Sequence, residues 1–236
     1  VVVNYYLNQK PNADVKLTFL DAKGGLINSF LGTARAGMNS FVWDMRYPTE
    51  SPAHDLIPLA EQTAIGAPLM VPPGAYRVHL AVGEQNQEES FDIRKDPRSS
   101  ASEEGFNAQF ELHMKIRDKL SETNEGINGL RDVLRQIERW ESKRENNIDA
   151  GAAKKVVAKL ALIENELVRV HEPTAMKLPP TKLNVKLASL TYVVASADGF
   201  PTQQTYDVFA DLTSRIDEQL QRLRQVVGTD VSALEL

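Results

Sequence analysis

Cysteine is missing from all 236 residues, which excludes disulfides, thiolate metal ligands and a cysteine nucleophile. It does not fix the compartment. Long apolar runs are missing too, with none near the ~20 residues that cross a bilayer. There is no excess of basic charge. The net charge of −5 argues against nucleic acid or an anionic membrane surface as partner, since either needs a basic face to displace counterions.

The motifs of common chemistries are absent as well. Histidine occurs only at His54, His79, His113 and His171, none with a second histidine at ligand spacing. HExxH, GxSxG, the P-loop and GxGxxG do not occur. Gly24-Gly25 has no following helix and reads as a turn. Acidic residues at Glu88-Glu89, Glu103-Glu104, Glu164 and Glu166 read as solvated faces, not as a glycosidase pair held across a cleft. His113 reads as a boundary residue, and His171 as a cation near a helix C-terminus. No catalytic residue, cofactor or metal is expected.

What is present divides the chain. Hydrophobic content of 42% and charged content of 25% are ordinary for a globular protein. Near residue 98 the apolar period changes from about 2 to about 3.6. Two domains are predicted, 1–98 and 99–236. The class is α+β multidomain: an antiparallel immunoglobulin- or fibronectin-like β-sandwich, then an up-and-down α-helical bundle with a long first helix.

In the β part, Val3, Tyr5 and Leu7 alternate, as do Val15, Leu17 and Phe19, and Asp21 to Gly25 supplies hairpin chemistry. Tyr76, Val78, Leu80 and Val82 form one face, followed by Phe91 and Ile93. The central stretch is Gly37 to Tyr47, predicted as a strand with Trp43 in the core. Six of the twelve prolines lie between Pro48 and Pro73, so that stretch is a loop, either functional or packed against something. Ser100 with Glu103 has capping-box spacing. Beyond it the stripe from Phe106 to Trp140 predicts one helix running through Gly126 and Gly129. Val156 to Val170, Leu183 to Ala197 and Tyr206 to Val227 make three further amphipathic stripes, with Thr202 as a cap.

Candidate contact residues follow from composition. Trp43, Asp44, Arg46 and Tyr47 mix aromatic and charged groups, the makings of a protein hot spot or a carbohydrate platform. Leu56, Ile57, Leu59, Ile65 and Met70 are apolar side chains of the proline-rich loop, and the best docking candidates. Arg94, Asp96 and Arg98 are expected to secure the junction between the domains.

The ordered motifs resemble one family. Asp21 and Gly24, then Gly37, Asn39, Phe41, Trp43, Asp44, Arg46 and Tyr47, then Pro72-Pro73-Gly74 with Tyr76, then Arg94, Asp96, Pro97 and Arg98 come in that order. Phe110, Lys115, Arg117, Asp118 and Leu120 follow, with Lys182 to Leu187 and Ala195 to Tyr206 further on. Together they resemble the C-terminal region of large bacterial proteins with BNR or sortilin-type β-propeller repeats, often labelled glycosyl hydrolase or exo-sialidase-like. The resemblance implies a propeller upstream in the same chain, export from the cell, and no hydrolase site within these residues. The chain, which opens on a strand and not on a signal peptide, is accordingly read as a piece of a longer protein. The expected role is a non-catalytic accessory region that docks on or extends the propeller. Two alternatives stand beside it: a carbohydrate-binding module that targets a glycoside hydrolase, and a helical homodimerisation module.

Overall fold

The structure, a computed structural model, describes residues 1–54, 65–143, 149–170 and 180–234. It is α+β, with six strands in two antiparallel sheets and four helices. Two compact units form, each discontinuous in sequence. The β unit comprises the described residues of Val1–Thr49, Pro68–Glu111 and Asp198–Phe200; the helical unit comprises those of Glu50–Ala67, Leu112–Ala197 and Pro201–Leu236. A single cut near residue 98 does not separate them.

In the β unit, β1 (Val2–Leu7) pairs with β4 (Gly37–Val42). The second sheet has the order β3 (Leu26–Leu31), β2 (Val15–Asp21), β5 (Gly74–Val82), β6 (Gln85–Ile93). The β2–β3 hairpin closes as the sequence predicts: Asp21 accepts from the amides of Lys23 and Gly25, each at 2.8 Å. Gly24, at φ 85°, supplies the left-handed residue there. Side chains from both sheets share one core that includes Tyr5, Leu17, Phe19, Trp43 and Tyr76.

The helical unit contains most of α1 (Glu103–Lys143), with α2 (Ala150–Leu167), α3 (Leu183–Val194) and α4 (Gln203–Gln225). A π-helical turn, Val226–Val231, continues α4. The apolar spacing of 3 and 4 places Leu120, Ile127, Leu160, Leu187 and Ile216 in one core. Thr202 caps α4 as expected, accepting from the Thr205 amide. At α1 the cap is Ser102 rather than Ser100: its hydroxyl accepts from Gly105 N at 3.1 Å. Glu103 is already helical, so a cap at Ser100 would stand too far upstream to reach the first free amides.

Helix α1 runs unbroken for 41 residues, about 60 Å at 1.5 Å per residue. Its two glycines differ in kind. A Cβ on Gly126 would lie 2.5 Å from Leu220 Cδ2, so there the absent side chain lets α4 approach. A Cβ on Gly129 would meet nothing within 4 Å. Gly129→Ala should therefore raise stability by about 1 kcal/mol, through helix propensity alone. Gly126→Ala should gain less or lose, because Leu220 must shift; urea titration of the two variants distinguishes these effects.

Candidate interaction surfaces

The strand predicted through Tyr47 ends earlier. Trp43 still exchanges both backbone hydrogen bonds with Val1, at 2.8 and 2.9 Å. Met45 then takes φ 62°, outside the region an L-residue uses in a strand. The chain turns there, with Asp44 accepting from Arg46 N at 3.2 Å. Tyr47 N and Val71 N donate to the carbonyls of Leu69 and Met45, which holds the return of the proline-rich loop against this turn.

Trp43 is 1% exposed, stacked on Phe19 with centroids 4.2 Å apart and flanked by Tyr76 and Phe91. It offers no face to a sugar ring. Tyr47 is half-buried, its ring 5.3 Å from that of Phe110. The carbohydrate platform suggested by these aromatics is therefore not formed. Asp44 and Arg46 are exposed beside the turn. Tyr76 donates to Pro72 O at 2.5 Å, and burial first, then Tyr47 and Asp21, push its phenol up to about 12.

Arg94, Asp96 and Arg98 are all exposed. Asp96 and Arg98 pair with each other at 2.6 Å, closing a turn within the β unit. The Arg98 side chain and amide hold the Asp96 carboxyl below the usual carboxylate range.

Of the loop candidates, Leu56, Ile57 and Leu59 lie outside the described residues, as does His171. Ile65 and Met70 are about half exposed. The described loop residues of the helical unit, in contrast, are held by a polar ladder on α1. Ser121, Asn124, Asn128 and Arg131 stand at spacings of 3, 4 and 3, on one helical face. Ser121 accepts from Ser51 N at 3.0 Å, and Asn124 donates to Ser51 O at 2.8 Å. Asn128 accepts from His54 N at 2.7 Å and donates to Pro52 O at 3.0 Å, and Arg131 donates to His54 O. Glu50 accepts from Gly66 N at 2.7 Å, and Thr191 from Ala67 N at 2.6 Å. These loop backbones are bound internally as a strap. The 3-4-3 recurrence of polar residues was visible in the sequence; nothing there marked it as buried against an extended segment.

His113 belongs to the same strap. It is buried, not a boundary residue, with Nε2 3.1 Å from Ala67 O. Burial holds its imidazole below the usual value, against the pull of the Ala67 carbonyl and Glu50 and alongside the push of Arg117. A base depressed in the folded state binds protons more readily when unfolded. Its contribution is therefore complete above a pH of about 6.5 and is lost as pH falls from there through the folded value. Between pH 7.5 and 5, the native chain should lose more stability in urea titrations than His113→Gln, which keeps an amide near Ala67 O. Equal losses would assign the pH dependence to other groups.

A groove of about 720 Å³ opens in the helical unit, lined by Lys159, Leu162, Glu166, Arg215, Arg222 and Asp230 among others. Its cations are paired: Lys159 with Asp230 at 2.5 Å, Arg215 with Asp211 at 3.6 Å, and Arg222 with Glu218. Among the described residues no group of three or more metal-ligating side chains forms, and no helix is long and apolar enough to cross a membrane.

The surface that composition did not single out lies on the solvent side of β1 and β4. Val2 faces Val42 across the ladder, and Tyr6 faces Met38. All four are between 61% and 71% exposed. The alternation of Val3, Tyr5 and Leu7 marks the row that faces the core; Val2 and Tyr6, apolar on the other row, are what that pattern leaves unassigned.

Searches of family models, of curated proteins and of solved structures find no match to this chain.

Proposed function

We propose that this chain is a non-catalytic accessory region of a larger exported protein, an interaction module that docks on or extends a β-propeller. In this reading the β unit is an immunoglobulin- or fibronectin-like sandwich, and the helical unit an up-and-down bundle. The observation that carries the proposal is the exposed apolar row of Val2, Tyr6, Met38 and Val42. They form two apolar cross-strand pairs on one face, Val2 with Val42 and Tyr6 with Met38, on either side of the polar pair Asn4 and Ser40; apolar side chains grouped in this way in water suggest a contact surface. The motif order from Asp21 to Tyr206 supplies the propeller as the partner to try first.

The test replaces Tyr6 and Val42 together by Glu. Both are exposed, so the fold should keep its stability to within about 0.5 kcal/mol per site. Affinity for the propeller region of the parent protein, supplied in trans and measured by calorimetry, should fall at least tenfold, about 1.4 kcal/mol. An unchanged affinity would remove this face as the docking surface. A natural protein without Ser-x-Asp-x-Gly-x-x-Trp repeats ahead of Val1 would remove the propeller.

A further inference from the structure

The groove of the helical unit is built at helical spacing from two sides. Lys159, Leu162, Ile163 and Glu166 come from one face of α2, and Arg215, Gln219, Arg222 and Val226 from one face of α4 and its π-helical turn. Leu183, the first residue of α3, completes an apolar floor with Ile163 and Val226. All three are buried, whereas Leu162 beside them is 70% exposed. The volume of about 720 Å³ falls within the roughly 300–1,000 Å³ of sites that take one small ligand.

Gln219 distinguishes this groove. It is only 7% exposed, it lines the groove, and its carboxamide bonds to no described group. The other buried polar side chains among the described residues all bond within the protein, such as Thr123 to Lys119 O, Thr191 to Ala188 O and Asn124 to Ser51 O. A carboxamide carries an acceptor and two donors side by side. An occupant without hydrogen-bonding groups, such as an acyl chain, would leave them covered and unpaired, the costly case. A helix laid in the groove keeps its N–H and C=O groups bonded internally, so its backbone answers Gln219 no better. An ion is not selected either. The described lining has three basic and three acidic side chains, and Lys159, Arg215 and Arg222 are each paired with a carboxylate. What fits is a neutral group with a donor and an acceptor side by side between apolar flanks, which an extended polypeptide offers along its backbone.

We propose that this groove binds a short, extended, uncharged segment of polypeptide from another protein. Backbone N–H and C=O groups of the segment bond to the Gln219 carboxamide, and apolar side chains on either side of them lie on Ile163, Leu183 and Val226 and against Leu162. The apolar floor supplies most of the affinity, and Gln219 selects for a chain whose backbone is free to bond. The site lies wholly within the helical unit. It depends neither on the row at Val2 and Tyr6 nor on the accessory-region reading.

The experiment titrates the 236-residue chain, labelled with nitrogen-15, with acetylated and amidated tripeptides that carry a central alanine between two Leu, two Ile, two Val or two Phe residues. The side-chain NH2 signals of Gln219 are followed by NMR. At least one tripeptide should shift them saturably. Replacing the N–H of its alanine by an ester oxygen should weaken binding at least tenfold, and so should Glu or Lys in place of the apolar residues. Gln219→Leu should also weaken binding at least tenfold, whereas Tyr192→Ala, outside the groove, should not. The ester comparison needs no variant and stands even if Gln219→Leu fails to fold. No saturable shift with any tripeptide, or equal affinity for the ester, overturns the proposal. Displacement of the tripeptide by inorganic phosphate does so too, because it assigns the groove to an anion. A Gln219 signal that moves with protein concentration in the absence of peptide, together with a dimer in sedimentation, assigns the groove to a second copy and likewise overturns it. Propeller affinity of the Tyr6 and Val42 variant is read separately, so failure of either proposal leaves the other standing.

Discussion

Trp43→Ala is expected to lower the unfolding free energy by about 3–5 kcal/mol, the range for emptying a buried aromatic site. That is a large share of the roughly 5–15 kcal/mol that holds a domain folded. The indole is the hub of an aromatic group: stacked on Phe19, edge-on to Phe91 at 6.2 Å and to Tyr76 at 6.4 Å. No neighbour can swing in to fill the void without breaking one of these packings. Trp43→Phe should keep more than half of the lost stability. It retains the stacked ring, and it removes an indole N–H that is buried without a hydrogen-bond partner, a group that costs about 1–3 kcal/mol when left unmade. Urea titration followed by circular dichroism ranks the three chains. A Trp43→Ala loss below about 1 kcal/mol, the ordinary size for a point substitution, would mean that the residue is not an anchor.

The second large effect is expected where α1 meets α2. Arg131 Nε lies 2.6 Å from Glu164 Oε1, with side chains only 12% and 13% exposed, and Arg131 also donates to His54 O in the strap. Removing one member strands the other charge away from water. Glu164→Leu alone should cost an amount near the lower end of the roughly 3–5 kcal/mol seen for broken buried pairs. Arg131→Met alone should cost at least as much, because the His54 carbonyl also loses its donor. Replacing both, Arg131→Met with Glu164→Leu, should return most of the loss, since no uncompensated charge remains. The quantity to measure is the coupling in the double-mutant cycle. Additive losses would show the pair to be no more than two separate contacts.

What the sequence made legible was periodicity. Period 2 at Val15, Leu17 and Phe19 located a strand, and the Asp21 to Gly25 turn located its hairpin. The 3-4 spacing of Leu160, Ile163 and Leu167 located a buried helix face. The long helix was read through Gly126 and Gly129 because the stripe keeps its phase on both sides of them. Three things were not legible, each for a physical reason. Alternation continues through Trp43, Met45 and Tyr47, but a pattern of polarity carries no sign of φ, and the chain turns at Met45. The polar positions Ser121, Asn124, Asn128 and Arg131 look like a solvated face until an extended segment is laid on them, and that segment lies about 70 residues away in sequence. The rows of Val3, Tyr5 and Leu7 and of Phe41 and Trp43 do face the core as read, but Val2, Tyr6, Met38 and Val42 on the outer row are apolar too, and alternation gives an apolar outer row no role. The candidate site was thus the least legible part, because it lies on the row that alternation assigns to solvent.

The strap has a consequence for synthesis on the ribosome. Residues 50–54 and 65–67 emerge before most of the groups that hold them: Ser51 waits for Asn124, and Ala67 waits for Thr191, 124 residues later. At roughly 5–20 residues per second, the last of these partners follows after on the order of ten seconds. During that interval β5 and β6 are already available to complete the four-stranded sheet, while the strap is exposed to proteases and chaperones. Slowing translation across residues 112–191 should lengthen that window and raise cleavage within the strap, with little effect on the finished protein.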